Sequence, residues 1–218
     1  MPYPWTVAQA AVSEFQAGEL SRHIAVTLRR VVFAFAFAMG IGVVLGIALG
    51  LSRRANDWFN MWVVIFLNLP ALVVIVLCYL WIGLNEVAAI VAVSVNKIPM
   101  VTVMIREGTR AMDPKLADMA RVYQMPRMRV LRHIILPQLA PHLASAARTG
   151  IALIWKIVLV VEFLGRSDGV GFQIHLYFQL FDIPTVLAYA ISFVIVMLVV
   201  EMALIQPVEN RANRWRQP

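Results

Sequence analysis

Lys97, Lys156 and Glu162 are ionisable residues set inside long apolar stretches, and they are the first chemistry the sequence offers. A lysine at the centre of a membrane-spanning helix costs roughly 2.5 to 3.5 kcal/mol to insert, so it turns toward protein or a polar path rather than lipid. Two readings follow. In one, the two ammonium groups line a path and attract an anionic solute. In the other, they form internal ion pairs with Glu162 or Asp168, or reach to an interface. A stand-alone ion-coupled carrier or channel would use Lys97, Lys156 and Glu162 as its relay. Enzymatic chemistry has no support: G-x-G-x-x-G, P-loop, H-E-x-x-H and G-x-S-x-G patterns are all missing. His23, His133, His142 and His175 do not fall in ligand spacing, and Cys78 is alone. No catalytic residue, metal or cofactor is expected, and the chain is not expected to be an enzyme.

The elements that must hold these residues are apolar helices. The 218 residues are 61% hydrophobic and 14% charged, with a mean hydropathy of +0.78. Soluble domains carry about 25% charged residues, so an integral membrane protein is indicated. Five stretches suffice to cross roughly 30 Å of hydrocarbon: 26–51, 58–84, 87–105, 141–164 and 186–205. Pro70 interrupts the second and Pro99 the third, while the fourth carries Arg148, Lys156 and Glu162. The expected fold is one all-α membrane domain over residues 1–218, with about five transmembrane helices. Residues 1–20 hold no Lys or Arg, so no cleaved signal is expected. Gly42, Gly46 and Gly50 share one helix face and would let a second backbone approach closely.

Basic residues set the orientation. Arg53 and Arg54, the seven between Arg106 and Arg132, and Arg211, Arg214 and Arg216 make twelve on one side, against at most four (Arg22, Arg29, Arg30, Arg166) on the other. Positive charge accumulates in the cytoplasm, which places the 106–140 loop and the C-terminus inside and the N-terminus outside. The net charge of +7 is thereby explained by topology, without nucleic acid. Arg148 is expected to reach lipid phosphates, and Trp58, Trp62 and Trp215 to sit in the aromatic belt. The segment 165–184, rich in Gly and aromatics, reads either as a re-entrant gate or as a belt loop.

The 106–140 loop is too patterned for a linker. Asp113-Pro114 is a helix start, and Leu116, Met119, Ala120 and Tyr123 follow at three- and four-residue spacing. Pro126 stops that helix, and a second, 127–135, is expected to end at Leu136-Pro137. The run from Asp118 to Pro126, followed by Val130 to Pro137, resembles the EAA loop of the permease subunits of bacterial ABC importers. Ala17-Gly18-Glu19-Leu20, Asn68-Leu69-Pro70 and Gly169-Val170-Gly171 are similar to the nitrate, sulfonate and taurine branch of that family.

The resemblance implies a transmembrane permease of the bacterial inner membrane that moves a small solute, here expected to be an anion. It implies as partners ABC ATPase subunits that hydrolyse the ATP, a second permease copy forming a homodimer, an extracytoplasmic solute-binding protein, and the lipid bilayer. The helix before the bend would seat in the ATPase, with Met119, Ala120 and Tyr123 as its docking face and Asp118 fixing its start. Gln124 and Pro126 would form the bend, and Leu136-Pro137 the rigid attachment to the spans. Two departures stand out. Asp118 replaces the usual Glu, and Gln124 replaces the usual Gly, which is expected to shift the bend toward Pro126. The branch also usually has six spans, and this chain begins where the first would have ended.

Overall fold

The computed structural model describes residues 2–207, and within them every regular element is helical. Arg211, Arg214, Trp215 and Arg216 lie outside the described residues. In chain order the helices are α1 (Pro4–Gln16), α2 (Glu19–Leu51), α3 (Arg53–Asn68), α4 (Ala71–Ile82), α5 (Glu86–Arg110), α6 (Pro114–Val122), α7 (Arg127–Val130), α8 (Leu136–Gly165), α9 (Val170–Gln179) and α10 (Ile183–Val200). Side-chain caps mark several starts. Ser52 accepts from Ala55 N, Asn85 from Ala88 N and Asp182 from Thr185 N, each satisfying an N–H that the first turn leaves unpaired.

Among the described residues, three elements are individually long and apolar enough to cross a membrane: α2, α5 and Ile183–Ala203. The α3–α4 pair is a fourth candidate, bent by 98° at Leu69-Pro70, where proline has no N–H to continue the ladder. Helix α8 is long, but Arg148, Lys156 and Glu162 interrupt its apolar run.

Helices α2 and α5 form the central seam and run in the same direction. A Cβ on Gly42 would lie 2.7 Å from Val101 Cβ, one on Gly46 2.7 Å from Ile105 Cβ, and one on Gly50 2.5 Å from Thr109 Cβ. Each step of four on α2 matches a step of four on α5, so the glycine stripe lets the helices touch along three successive turns. Helix α8 packs beside them, and Ala34, Ala38, Ala88, Ala92, Ile154 and Val158 fill the contact.

The attachment of the loop differs from expectation. The helix beginning at Arg127 does not end at Leu136-Pro137. It passes through a π turn, Leu131–Ile135, directly into α8, which also continues through Pro141. The wider turn shifts the hydrogen-bond register at the point where Pro137 would otherwise break it.

Candidate coupling loop and intramembrane charges

Helix α6 starts where the Asp113 side chain accepts from Lys115 N at 2.9 Å, while Asp113 N donates to Gln138 Oε1 at 3.0 Å. The second bond ties the start of α6 to α8. Asp113 is the cap, as the Asp113-Pro114 pair predicts, while Asp118, which the resemblance gave as fixing the start of the docking helix, pairs with Arg121 at 3.3 Å on the exposed surface. Met119 and Tyr123 are exposed as expected, but Ala120 is buried at 5% exposure and belongs to the inner face. Val122, which sequence reasoning passed over, is 79% exposed. Its position three residues after Met119 was the available signal.

The bend stays at Gln124. That residue takes φ of 47°, Met125 N donates to Ala120 O and Gln124 N to Arg121 O, both at 3.0 Å. These are the two bonds of a Schellman end, with glutamine in the position that favours glycine. Pro126 opens the next helix: its carbonyl accepts from Arg129 N and Val130 N.

The intramembrane charges group differently from expectation. Glu162 is fully buried, and its partner is Arg30, not a lysine: Arg30 Nη1 donates to Glu162 Oε1 at 2.7 Å and to Asp168 O at 2.9 Å. Arg30 Nη2 donates to Glu86 Oε2 at 2.7 Å and also to Asp168 Oδ1. Glu86 is also reached by the exposed Arg29 and by the mostly buried Arg166. Three guanidinium groups thus meet three carboxylates where α2 passes the start of α5 and the end of α8. Arg30 had been counted only as an outer basic residue, although His23, Thr27 and Arg30 form a polar stripe at helical spacing that was legible. Burial pushes the Asp168 carboxyl upward, but the Arg30 guanidinium bonded to it, with Arg166 nearby, holds it below the usual carboxylate range.

The second oxygen of Glu162 accepts from Thr27 Oγ1 and Gly171 N, both at 2.9 Å, and Thr27 Oγ1 itself accepts from Val170 N. Gly169, at φ of 103°, leaves the space this carboxylate occupies, since a Cβ there would lie 2.4 Å from its Cδ, and Gly171 lets its backbone pass Leu159 O, which a Cβ would meet at 2.3 Å. Gly169 N donates to His23 Nδ1 at 2.9 Å, so the ring carries its proton on Nε2. That proton faces Glu19 and Gln173, and Gln173 must present its carbonyl oxygen there. The 165–184 segment is consequently a short helix, α9, whose first turn is locked to this network.

Lys97 is half-buried on α5 and Lys156 exposed on α8. Glu162 and Asp168 are engaged by Arg30, so the internal ion pairs considered for the lysines do not form. Lys156 contacts the Trp155 ring, with Nζ 5.6 Å from its centroid. Arg148, half-exposed, pairs with Glu201 at 3.8 Å.

Residues 38–206 match the family described as the binding-protein-dependent transport system inner membrane component. The chain belongs to this family. It is 27% identical to a Bacillus subtilis (strain 168) protein named as an aliphatic sulfonates transport permease, SsuC, over 99% of this chain and 78% of that protein. It is 23% identical to the taurine transport system permease TauC of Escherichia coli (strain K12), over 92% of this chain and 73% of TauC. The fold matches a methionine ABC transporter, MetNI, solved in inward-facing conformations, with a TM-score of 0.76 at 20% identity, over 89% of this chain and 98% of that one. An amino acid ABC transporter gives 0.65 at 22% identity, over 92% and 97%. This is therefore a multi-pass permease subunit of an ABC importer, and membership of the family implies ATPase and solute-binding partners.

Proposed function

We propose that this permease moves a small anion into the cytoplasm, driven through α6 by ABC ATPase subunits that carry out all ATP hydrolysis. The observation that carries the coupling assignment is the α6 face: Met119, Val122 and Tyr123 are exposed and apolar on a helix whose start is pinned to Gln138 of α8. An apolar helical face held rigidly against a span suits a partner groove and transmits displacement. Gln124, Pro126, Leu136 and Pro137 form the continuous strut from that face into α8. The reading puts the loop and the C-terminus in the cytoplasm, the N-terminus outside, and a solute-binding protein on the outer surface.

Two copies acting as a homodimer complete the path. Lys156 is exposed on a single chain although it lies midway along α8, and an ammonium there needs a polar surround that a facing copy would enclose. The anion is inferred from Lys97 and Lys156, neither of which has a carboxylate partner among the described residues. Relatives named for sulfonates and taurine support the same substrate class.

The deciding experiment is copurification and uptake with Val122→Asp and Tyr123→Asp. The ATPase should be lost and uptake abolished while the permease stays inserted. Retained ATPase with unchanged uptake would remove α6 from the coupling role.

A further inference from the structure

Helix α8 runs as one piece from the coupling loop to the Arg30 network. Gln138 on its first turn holds the start of α6, and the π turn joins α7 to it without a break. Glu162 lies about 40 Å further along, at a rise of about 1.5 Å per residue from Leu136.

Three successive N–H groups at the start of α9 have no partner within that helix, and each is met by a side chain from another one. Gly169 N donates to His23 Nδ1 and Val170 N to Thr27 Oγ1, both on α2, while Gly171 N donates to Glu162 Oε2 on α8. The last turn of α9 is held from a different side, where the Tyr177 hydroxyl donates to Glu14 Oε1 on α1. Among the described residues, Glu162 is thus the hydrogen-bonded link between α9 and the helix that carries the coupling loop.

A carboxylate suits this junction because both of its oxygens accept. Oε1 takes Arg30 Nη1, and Oε2 takes Gly171 N and Thr27 Oγ1. An amide in its place has one accepting oxygen, so it keeps either Arg30 or Gly171 and turns an N–H toward the other donor. Glu162 and Gly171 are both buried, and burial shuts out the water that would replace a lost bond. A displaced α8 therefore takes α9 with it, since sliding past would leave donor and acceptor unpaired.

We propose that Glu162 is the positioning residue that passes ATP-driven displacement of α8 to α9, so that a movement begun at α6 reaches the opposite end of the permease. This role rests on the coupling function of α6 proposed above, and it names the residue that receives the movement at the far end of α8.

Pulsed electron paramagnetic resonance distances in the intact transporter, with its ATPase subunits bound, test this and need no solute. In a Cys78→Ser background, one spin label at Met61→Cys on α3, which takes no part in the network, is paired with a second at Leu164→Cys on α8 or at Gln179→Cys on α9; all three positions are exposed. Between the nucleotide-free and the ATP–vanadate-trapped states, both distances should shift. In Glu162→Gln the Leu164 distance should shift as before, while the Gln179 shift should be lost. A merely structural Glu162 would lower the melting temperature and leave both shifts in place, which would overturn the proposal alone. A Leu164 label that stays still in the unaltered transporter would overturn the coupling reading and this role with it. Should Glu162→Gln fail to assemble, Thr27→Val and Thr27→Ser decide: valine removes the hydroxyl that donates to Glu162 and holds Val170 N, and serine keeps it. The Gln179 shift should shrink with valine and persist with serine, and equal shifts in the two would overturn the role.

Discussion

Arg30 Nη1 lies 2.7 Å from Glu162 Oε1, with both side chains out of water, and the pair joins α2 to α8. A buried ion pair is a poor source of stability in itself, because desolvating both charges offsets their attraction. Its consequence is geometric: α2, the start of α5, the end of α8 and the loop leading into α9 share one guanidinium. Removing Arg30 strands Glu162, whereas removing Glu162 leaves Arg30 with Glu86 and Asp168. Arg30→Met should therefore destabilise the permease by about 3 to 5 kcal/mol, and Glu162→Gln by clearly less. Thermal unfolding of the purified protein in detergent checks the order, and the opposite order would refute it.

The α2–α5 seam yields a second expectation. Gly46→Leu puts a side chain where Ile105 Cβ and Thr102 O already lie within 2.8 Å, so helix separation should cost about 1 to 3 kcal/mol or more and reduce the folded yield. Gly40 has nothing within 4 Å of its Cβ position, and Gly40→Ala should be silent. Equal behaviour of the two variants in a melting assay would contradict the close contact.

These results bear on what was legible beforehand. The glycine stripe, the Pro70 break and the Asp113-Pro114 start could be read because each has a local cause: a missing Cβ, a missing N–H, a cap. The partner of Glu162 could not, since hydropathy assigns Arg30 to a helix end and periodicity does not say which face meets α8. Ala120 was misassigned for a similar reason. Its spacing fits the docking stripe, but α6 is rotated so that Leu116, Met119, Val122 and Tyr123 reach solvent while Ala120 faces inward. The continuation through Pro137 depended on a π turn, and π turns have no sequence signature comparable to a cap.

Gln124 at φ of 47° carries a backbone cost that glycine lacks, of order 1 kcal/mol. Gln124→Gly should keep the Schellman bonds and raise the resistance of the 113–126 loop to limited proteolysis, with uptake preserved. Gln124→Val should do the reverse, since a β-branched residue disfavours positive φ further. Faster cleavage of the glycine variant would show that the side chain, not the backbone, supports the bend.

Acid should loosen the Arg30 network in a defined direction. Asp168 titrates below the ordinary carboxylate value of about 3.9, so its contribution is fully present above that value and is lost as pH falls through the lower, folded one. Melting temperatures should thus be insensitive to this group between about pH 5 and 8 and fall below about pH 4. Asp168→Asn should be less stable at neutral pH and show a shallower acid loss. An Asp168→Asn curve parallel to the parent's throughout would remove this carboxylate from the network's energetics.

The lysines carry the substrate expectation. At an effective dielectric of about 20, one charge pair at roughly 4 Å is worth about 4 kcal/mol before desolvation is subtracted, enough to lower a barrier without trapping the solute. Because Glu162 and Asp168 are held by Arg30, Lys97→Met and Lys156→Met remove no internal ion pair and should leave folding intact. Uptake of a sulfonate should slow in each, with capture by the solute-binding protein unchanged, and Lys→Arg at either position should retain more activity than Met. Lys156 is the sharper test, since among the described residues its ammonium meets only the Trp155 ring. Unaltered sulfonate uptake in the doubly substituted permease would retire the anionic path.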